Sequence, residues 1–512
     1  MAKKAKMLAG GIRMYRHEDY EQLKLELPFG VTLREDNRWV LLGKLFPWEA
    51  IERKYAENFT GEEGQVALPS RLAFGALYIQ TAEHYTDEQT RRNIQENPYL
   101  QYFCGFECYT MESPFDASMM TYFRKRISAE MVREIQTMVF ASEAAERQET
   151  MPEELQEDED PVADEQTLST EATCVENQGT LILDATCCPA DIRYPTDAGL
   201  LNQARELVEQ IVDILYKSIQ EQLPQKPRTY RQKARKEYLF YAKKRSHTIR
   251  ETRAVVRGNL QYIRRDIGYI ENMVSMGATL TLLGDELYRK LLVIQELCRQ
   301  QWDMYLRRSH QVEDRIVSID QPHVRPIVRG KAGSPVEFGA KVMVGLVGGY
   351  AFLMKAEWNN FSESKSLVEA VSEYHRIFGF YPATILADRA YPNRENKLWC
   401  TAHGIRLSGP RLGRKSITEK ASESKQIYQD GCERVAIEGE FGVVKRRYGL
   451  DRIMCRQPDT SMTSIAMGFF AANMERKLRL LFAPLNEWSL DYDFDLGEII
   501  LFPVIDEIAV IQ

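Results

Sequence analysis

The chain has 512 residues, of which 44% are hydrophobic and 28% are charged. This length calls for two or three domains, and the composition is typical of a soluble globular protein. The longest nearly uncharged apolar stretch, residues 342–354, is too short to span a membrane, and nine scattered cysteines do not suggest a disulfide framework. No secretory signal is evident, so we expect a cytoplasmic protein without a membrane partner.

Acidic and basic charge are segregated along the chain. The net charge is −7, but residues 142–177 alone carry −12 and residues 486–512 carry −7. The remainder therefore carries +12, which favours a nucleic-acid partner. Charge blocks also occur in large proteins that have no such partner, so charge alone leaves both interpretations open.

Residues 1–145 are predicted to form an all-α domain. Amphipathic or apolar segments predict helices over 48–59, 69–82, 87–97, 116–127 and 129–145. Arginine and lysine residues near the ends of several of these helices suit a helix-turn-helix-like DNA-binding unit. A helical packing domain without DNA contact would show much the same pattern.

Two unusual segments follow. Residues 146–175 are rich in Glu, Asp, Gln, Pro and Thr, which predicts an acidic linker. After a predicted strand over 179–185, residues 201–315 show a helical pattern throughout. Between Lys226 and Arg265 this insertion has fourteen Lys or Arg against two Glu, interleaved with aromatic residues. Such a segment either follows a phosphate backbone or forms a solvated helical face with its aromatic side chains turned inward.

The pattern typical of strands resumes at residue 338. Alternation predicts a hairpin of two strands, 338–346 and 350–358, joined by Gly348 and Gly349. Further elements are predicted in the order helix 364–378, strand 384–387, helix 393–403, strand 405–408 and helix 438–448. The order predicts an α/β fold, a mixed sheet flanked by helices, with the long helical insertion after the first strand.

Three acidic residues occupy positions that suggest a metal site. Asp184 and Asp388 each end an apolar, strand-like run, and Glu438 stands where a helix is predicted to begin. Functional side chains gather at the carboxyl ends of strands in α/β sheets, so these carboxylates are expected to converge. Carboxylate oxygens suit Mg²⁺, and two such ions support in-line phosphoryl transfer. Singly, each acid also has a structural explanation: a strand-end cap, an ion pair with Arg389, and a first-turn helix residue.

Two motifs around these acids resemble those of the DDE-class bacterial insertion-sequence transposases. The run Asp388-Arg389-Ala390-Tyr391 fits the second-acid motif of that family, Asp-x-Gly/Ala-Tyr/Phe. The spacing of Arg434, Glu438 and Lys445 fits its third-acid signature. The block 325–331, leading into 338–341, also resembles one subgroup of the family.

One position departs from the family pattern. The signature has a Tyr three residues before the arginine, whereas this chain has Gly431 there and its nearest Tyr at Tyr428. The part that this Tyr plays in gripping the transposon end therefore does not carry over. Glu440 is a neighbouring acid, but only Glu438 has the required spacing to both Arg434 and Lys445.

The resemblance implies a domain organisation and a set of site residues. Residues 176–200 and 316–485 would form a ribonuclease H-like catalytic domain, with the insertion at 201–315 and an acidic C-terminal segment at 486–512. Asp184, Asp388 and Glu438 would be the catalytic residues and would bind two Mg²⁺ ions, which Mn²⁺ can replace. The residues implied to contact DNA are Arg389, Tyr391, Arg434, Lys445, Arg446 and Arg447.

The implied function is that of a DNA transposase. Such an enzyme binds the terminal inverted repeats of its element, cleaves phosphodiester bonds at the ends and joins the 3′-hydroxyl to target DNA. Pairing of two ends in one complex implies a homodimer. Two alternatives remain open: a catalytically silent DNA-binding repressor derived from a transposase, and a metal-dependent DNA endonuclease that does not join strands.

Overall fold

The computed structural model of the chain describes residues 25–28, 32–59, 66–149, 176–328, 336–410 and 417–487. Most of the predicted linker and of the predicted C-terminal segment lies outside these residues, as does the end of the block 325–331. None of the described helices is both long and apolar enough to cross a lipid bilayer.

Seven helices precede the first strand in the described part of the chain. They are α1 (Arg38–Leu45), α2 (Trp48–Ala56), α3 (Ser70–Glu83), α4 (Asp87–Glu96), α5 (Pro98–Phe103), α6 (Met119–Arg126) and α7 (Ala129–Glu149). The five predicted helices are confirmed, whereas α1 and α5, which are too short to show a clear apolar period, were not predicted. Helix α4 begins at Asp87 because Thr86 and Gln89 form a capping box, each side chain bonding the other residue's backbone N–H.

The strands form one mixed sheet. They are β1 (Thr180–Pro189), β2 (Arg325–Val328), β3 (Val336–Val347), β4 (Tyr350–Glu357), β5 (Thr384–Ala387) and β6 (Arg406–Leu407). The order is β2-β3-β1-β5-β6, with β4 also paired to β3. Strands β1, β5 and β6 are parallel, while β3 runs antiparallel to β1, β2 and β4. The predicted mixed α/β fold and its hairpin are therefore confirmed.

The helical insertion separates β1 from β2 and has its own hydrophobic cluster. It contains α8 (Asp197–Ser218), α9 (Arg231–Ala242), α10 (Ile249–Ser275), a short 3₁₀ turn (Leu280–Leu283) and α11 (Gly284–Arg307). Buried aliphatic residues of α8, α10 and α11, such as Ile211, Ile263 and Ile294, pack together. Helix α9 is different, because Ala234 is its one buried residue. It therefore lies on the surface of the other three helices.

Four helices complete the described fold: α12 (Leu367–Phe378), α13 (Arg394–Ala402), α14 (Ile417–Arg447) and α15 (Pro458–Glu487). The prediction that a helix begins at Glu438 was wrong, because α14 begins 21 residues earlier, at Ile417. The residues before Glu438 are mostly polar and exposed, so they show no apolar period that would have revealed the helix.

Helix α15 joins the N-terminal helices to the sheet. The ring of Phe470 on α15 contacts the rings of Phe46, Phe74 and Phe140 at centroid distances of 5.6, 5.7 and 6.0 Å. On the same helix, the side-chain amide of Asn473 bonds both the N–H and the carbonyl oxygen of Ala351 in β4, each at 2.9 Å. One continuous hydrophobic cluster consequently includes residues of the N-terminal helices, the sheet and α15.

Candidate active site

Two of the three predicted acids lie side by side on neighbouring parallel strands. Leu183 of β1 pairs in register with Ala387, the last residue of β5. The next residues are Asp184, which is still in β1, and Asp388, which comes directly after β5, so this pairing brings the two acids close together. Asp388 follows the end of β5 as predicted. Asp184 does not end its strand, because β1 continues to Pro189 by pairing with β3.

The third acid reaches the same place from α14, which packs against β1 and β5. Ile437, Phe441 and Val444 are buried and hold one face of this helix on the sheet. Glu438 lies at the border of that face, with its side chain 54% exposed. A cavity of about 620 Å³ is lined by Asp184 and Asp388, by Glu438, and by Arg434 and Lys445 of the same helix. The structure therefore brings the three predicted acids together.

Of the structural explanations for the acids, only an ion pair of Glu438 with Arg434, at 3.2 Å on the same helix, is present. Asp184 lies within a strand, so it is not a strand-end cap. Glu438 lies far inside α14, so it is not a first-turn residue. Within the described residues, no salt bridge joins Asp388 to the Arg389 side chain; instead the backbone N–H of Arg389 donates to Asp388 Oδ1 at 2.7 Å.

Arg434 lies between the first and third acids. Its guanidinium is 3.5 Å from Asp184 Oδ2 and 3.2 Å from Glu438 Oε1. The spacing of four residues between Arg434 and Glu438 on α14 explains the second contact, since such residues are neighbours on a helix surface. The first contact crosses from the helix to the sheet. One cationic group thus partly neutralises two carboxylates of the cavity.

Burial and neighbouring charges act in opposite directions on Asp184. Burial of its side chain raises the pKa of this carboxyl, and the neighbouring Glu363 and Asp388 carboxylates raise it further. The hydrogen bond from the Ala185 backbone N–H, at 2.8 Å, and the charge of Arg434 both lower it. Burial is the largest of these effects, so the charged form of Asp184 needs nearby positive charge.

Two site residues were not predicted from the sequence. Glu363 and Lys341 line the cavity, and Lys341 Nζ is 2.8 Å from Glu363 Oε1. Lys341 belongs to β3 and is only 8% exposed. A lysine within an otherwise apolar strand was the available signal for it. Glu363 lies in a connecting segment with no motif, and only the tertiary structure brings it to the carboxylates.

The residues predicted to contact DNA have different environments. Arg434 and Lys445 line the cavity, whereas Arg389, Arg446 and Arg447 are exposed and do not line it. Tyr391 is completely buried, which argues against direct DNA contact by its ring. Its hydroxyl has no hydrogen-bond partner among the described residues. Burial raises the pKa of Tyr391, and the charges of Glu363, Asp184 and Asp388 raise it further, so this hydroxyl stays protonated beside the carboxylates.

The donor chemistry of the cavity fits a hard divalent cation, since four carboxylates, those of Asp184, Glu363, Asp388 and Glu438, line it. The side chains are not arranged as a finished metal site: no group of three or more His, Cys, Asp or Glu in the described residues is placed to hold a metal ion together. The position of Arg434 gives a physical reason, because its guanidinium lies between two of the carboxylates. Metal binding therefore requires that this side chain move or share its partners.

Comparison with known proteins agrees with the geometry. Residues 385–475, which include Asp388, Arg434 and Glu438, match the family described as Transposase DDE domain. Residues 29–126 match a second family, described as Transposase domain (DUF772). The chain is 30% identical over 169 residues to an uncharacterized protein, ORF8 in the nfe locus of Rhizobium meliloti. That match covers 33% of this chain and 70% of the relative.

No solved structure is significantly similar to the chain. The two family matches lie in the N-terminal helices and in the part of the chain that carries the second and third acids. Both families are described as transposase domains, which supports the resemblance found in the second-acid and third-acid motifs. The chain belongs to the DDE-class insertion-sequence transposases.

Proposed function

We propose that this transposase binds the terminal inverted repeats of its element, cleaves phosphodiester bonds at the ends and joins the freed 3′-hydroxyl to target DNA. The observation that carries the proposal is the register of β1 and β5, which sets Asp184 beside Asp388 in the cavity that Glu438 also lines. In our proposal the sheet that carries them has a ribonuclease H-like arrangement. Residues 176–200 and 316–485 form this catalytic domain.

Asp184, Asp388 and Glu438 are the residues that would hold two Mg²⁺ ions, with Mn²⁺ as a substitute. When bound, such ions supply Lewis-acid polarisation of the phosphate and a more acidic attacking hydroxyl. The protein contributes position: Asp184 is held by β1 and Asp388 by the end of β5, each accepting a hydrogen bond from the backbone N–H of the residue that follows it. Rigid strands keep the two carboxylates at a fixed separation.

The cationic residues around the acids have a separate task. Lys445 lines the cavity two helical turns further along α14 than Glu438, where it can approach a phosphate bound between them. Arg389, Arg446 and Arg447 are exposed, and they would contact the DNA backbone on either side of the scissile bond. Arg447 would first have to leave Glu475, which is 3.7 Å away. Arg434 would exchange its carboxylate partners for a phosphate when metal neutralises the acids.

The remainder of the chain would recognise and pair the ends. We assign end binding to the helical domain of residues 1–145, with 146–175 as a linker and 486–512 as a separate acidic segment. A homodimer would hold two ends in one complex. The nine cysteines are scattered along the chain, as suits the reducing cytoplasm in which we place the reaction.

A cleavage and joining assay with Mg²⁺ tests the proposal. The substrate is the DNA that flanks the gene, and the proteins are wild type, Asp388→Asn and Glu438→Gln. We expect both variants to lose cleavage by at least about a thousandfold, because each removes a metal-binding carboxylate, while end binding stays within about twofold. Glu440→Gln is the matched control on the same helix and should retain cleavage.

Three results would contradict the proposal in different ways. Normal cleavage by Asp388→Asn would exclude the assigned acids. Nicked DNA without joined products from the wild type would indicate an endonuclease. End binding by the wild type without any cleavage would indicate a silent repressor.

A further inference from the structure

The basic segment of the insertion lines a cleft on the surface of the molecule. Two adjoining cavities, of about 790 and 1220 Å³, lie on either side of α10. They meet at Ala254, Gly258 and Gln261, which line both. We call the two cavities together the insertion cleft. Its walls are α9 on one side and the end of α11 on the other. Its floor is on α10, where the part shared by the two cavities includes the small residues Ala254 and Gly258.

The cleft has an excess of positive charge. The cations that line it are Lys233, Arg250, Arg253, Arg257, Arg265 and Arg308, against Asp197 and Glu237. Both acids already have partners, since Asp197 is 2.8 Å from Arg315 and Glu237 accepts a hydrogen bond from the Tyr262 hydroxyl at 3.0 Å. Lys233 is 3.9 Å from Glu237 and Arg265 is 2.9 Å from Asp266, so the charge available to an anionic partner is that of the other four arginines.

Among the described residues, four of these arginines have no carboxylate partner. One of them, Arg253, donates instead to the carbonyl oxygen of Tyr305 at 3.2 Å. Arg250, Arg257 and Arg308 are exposed, and none of them forms a salt bridge with another described residue. Arg250 and Arg257 are seven residues apart on α10, which places them on one face about 10 Å apart along the helix axis. A row of unpaired guanidinium groups at such intervals is suited to successive phosphates of a nucleic-acid strand.

Apolar surface accompanies the charge. Phe240 of α9 lines the cleft and is 71% exposed, and Ile249 at the start of α10 is 82% exposed. An inward-turned aromatic face was one of the two interpretations of this segment, and Phe240 does not fit it. Exposed apolar side chains beside arginines are typical of surfaces that contact the sugars and bases of DNA.

We propose that the insertion cleft binds duplex DNA through its phosphate backbone, as a second DNA-binding surface separate from the acidic cavity. This inference rests on the proposed function only in that it takes duplex DNA as the partner. The arginines of α10 and Arg308 would contact phosphates, and Phe240 would pack on the sugar or base edge. Binding at this surface requires no divalent ion.

Two glycines on α10 provide a matched test. A Cβ atom added at Gly258 or at Gly268 meets no atom within 4 Å, so a side chain is tolerated at either position. Gly258 lines the cleft and Gly268 does not. Glutamate has a higher helix propensity than glycine, so Gly258→Glu and Gly268→Glu should both fold. Gly258→Glu alone places a negative charge and added bulk on the floor of the cleft.

Binding is measured by fluorescence anisotropy in EDTA, with a labelled duplex of unrelated sequence, so that end recognition by residues 1–145 does not contribute. We expect Gly258→Glu to weaken binding by about tenfold or more, while Gly268→Glu and Gly258→Ala stay within about twofold of wild type. A second pair of variants is compared by the salt dependence of DNA binding. Arg250→Gln with Arg257→Gln should reduce the slope of log K against log salt by about two, whereas Arg289→Gln with Arg299→Gln, on exposed positions of α11 outside the cleft, should leave it unchanged.

Equal binding by the two glutamate variants would overturn the inference. The inference would also be overturned if Gly258→Glu weakened binding to RNA of the same sequence but left binding to duplex DNA unchanged. The cleft would then bind a different partner. Cleavage by Asp388→Asn is measured separately. If Asp388→Asn loses cleavage while Gly258→Glu binds normally, the inference fails and the proposed function stands. If Asp388→Asn cleaves normally while Gly258→Glu binds weakly, the reverse holds.

Discussion

Replacing Arg434 by glutamine tests whether a protein cation takes the place of metal between the acids. The guanidinium lies 3.5 Å from Asp184 and 3.2 Å from Glu438. At an effective dielectric constant of about 20, a pair at that distance attracts by roughly 5 kcal/mol before desolvation is subtracted. The Glu438 side chain is 54% exposed, so its share is at most about 1 kcal/mol. After desolvation, we expect Arg434→Gln to lower the free energy of unfolding by about 1–2 kcal/mol without divalent ions.

The same substitution should strengthen metal binding. In wild type, a divalent ion competes with the guanidinium for Asp184 and Glu438, and in the variant it does not. If the competition is worth about 1.4 kcal/mol, the dissociation constant for the ion falls about tenfold. At an ion concentration well above both dissociation constants, the variant then gains about 1.4 kcal/mol more stability from the ion than wild type does.

Urea unfolding in EDTA and in excess Mg²⁺ measures the free energy of unfolding and the stabilisation by the ion. Calorimetric titration with Mn²⁺ measures the affinity for the ion directly. Arg446→Gln is the control, because this arginine lies on the same helix and its side chain bonds only the carbonyl oxygen of Gly442, at 3.1 Å. Arg434→Lys should have a stability and a metal affinity between those of wild type and Arg434→Gln. Equal stabilisation of wild type and Arg434→Gln by Mg²⁺ would refute the reasoning, as would weaker Mn²⁺ binding by the variant.

Two further predictions concern stability. Burial raises the pKa of Asp266 in the insertion from 3.8 to about 6, so the stability that its protonated form contributes is present below about pH 4 and is lost as pH rises through about 6. Asp266→Asn should therefore be more stable than wild type at pH 7 to 8 by up to about 3 kcal/mol, as measured by urea unfolding. The difference in stability should vanish near pH 4. A difference that grew on acidification would contradict this prediction. Asn473→Leu should cost about 3 kcal/mol, because it removes both hydrogen bonds to Ala351 and leaves a buried N–H without a partner. Ser464→Ala on the same helix is its control, and equal urea midpoints for the two variants would show that the Asn473 contacts contribute little.

Local sequence determined the elements whose signal is local. The hairpin of β3 and β4 follows from alternating apolar residues around Gly348 and Gly349, which have positive φ angles of 56° and 82°. The helices α2 and α3 follow from their apolar residues, α4 begins at the capping box of Thr86 and Gln89, and Asp388 follows a short apolar strand as its motif implied. The three acids were found because residue type and spacing are properties of the chain itself.

Tertiary structure alone decided how these parts meet. Asp184 lies beside Asp388 because β1 and β5 pair in a register that joins residues about two hundred apart, and β1 extends past Asp184 only because β3 pairs with it. The same long-range packing buries Tyr391, brings Glu363 to the carboxylates and sets Arg434 between two acids. Such contacts depend on the free energy of packing distant segments together, which no short window of sequence contains.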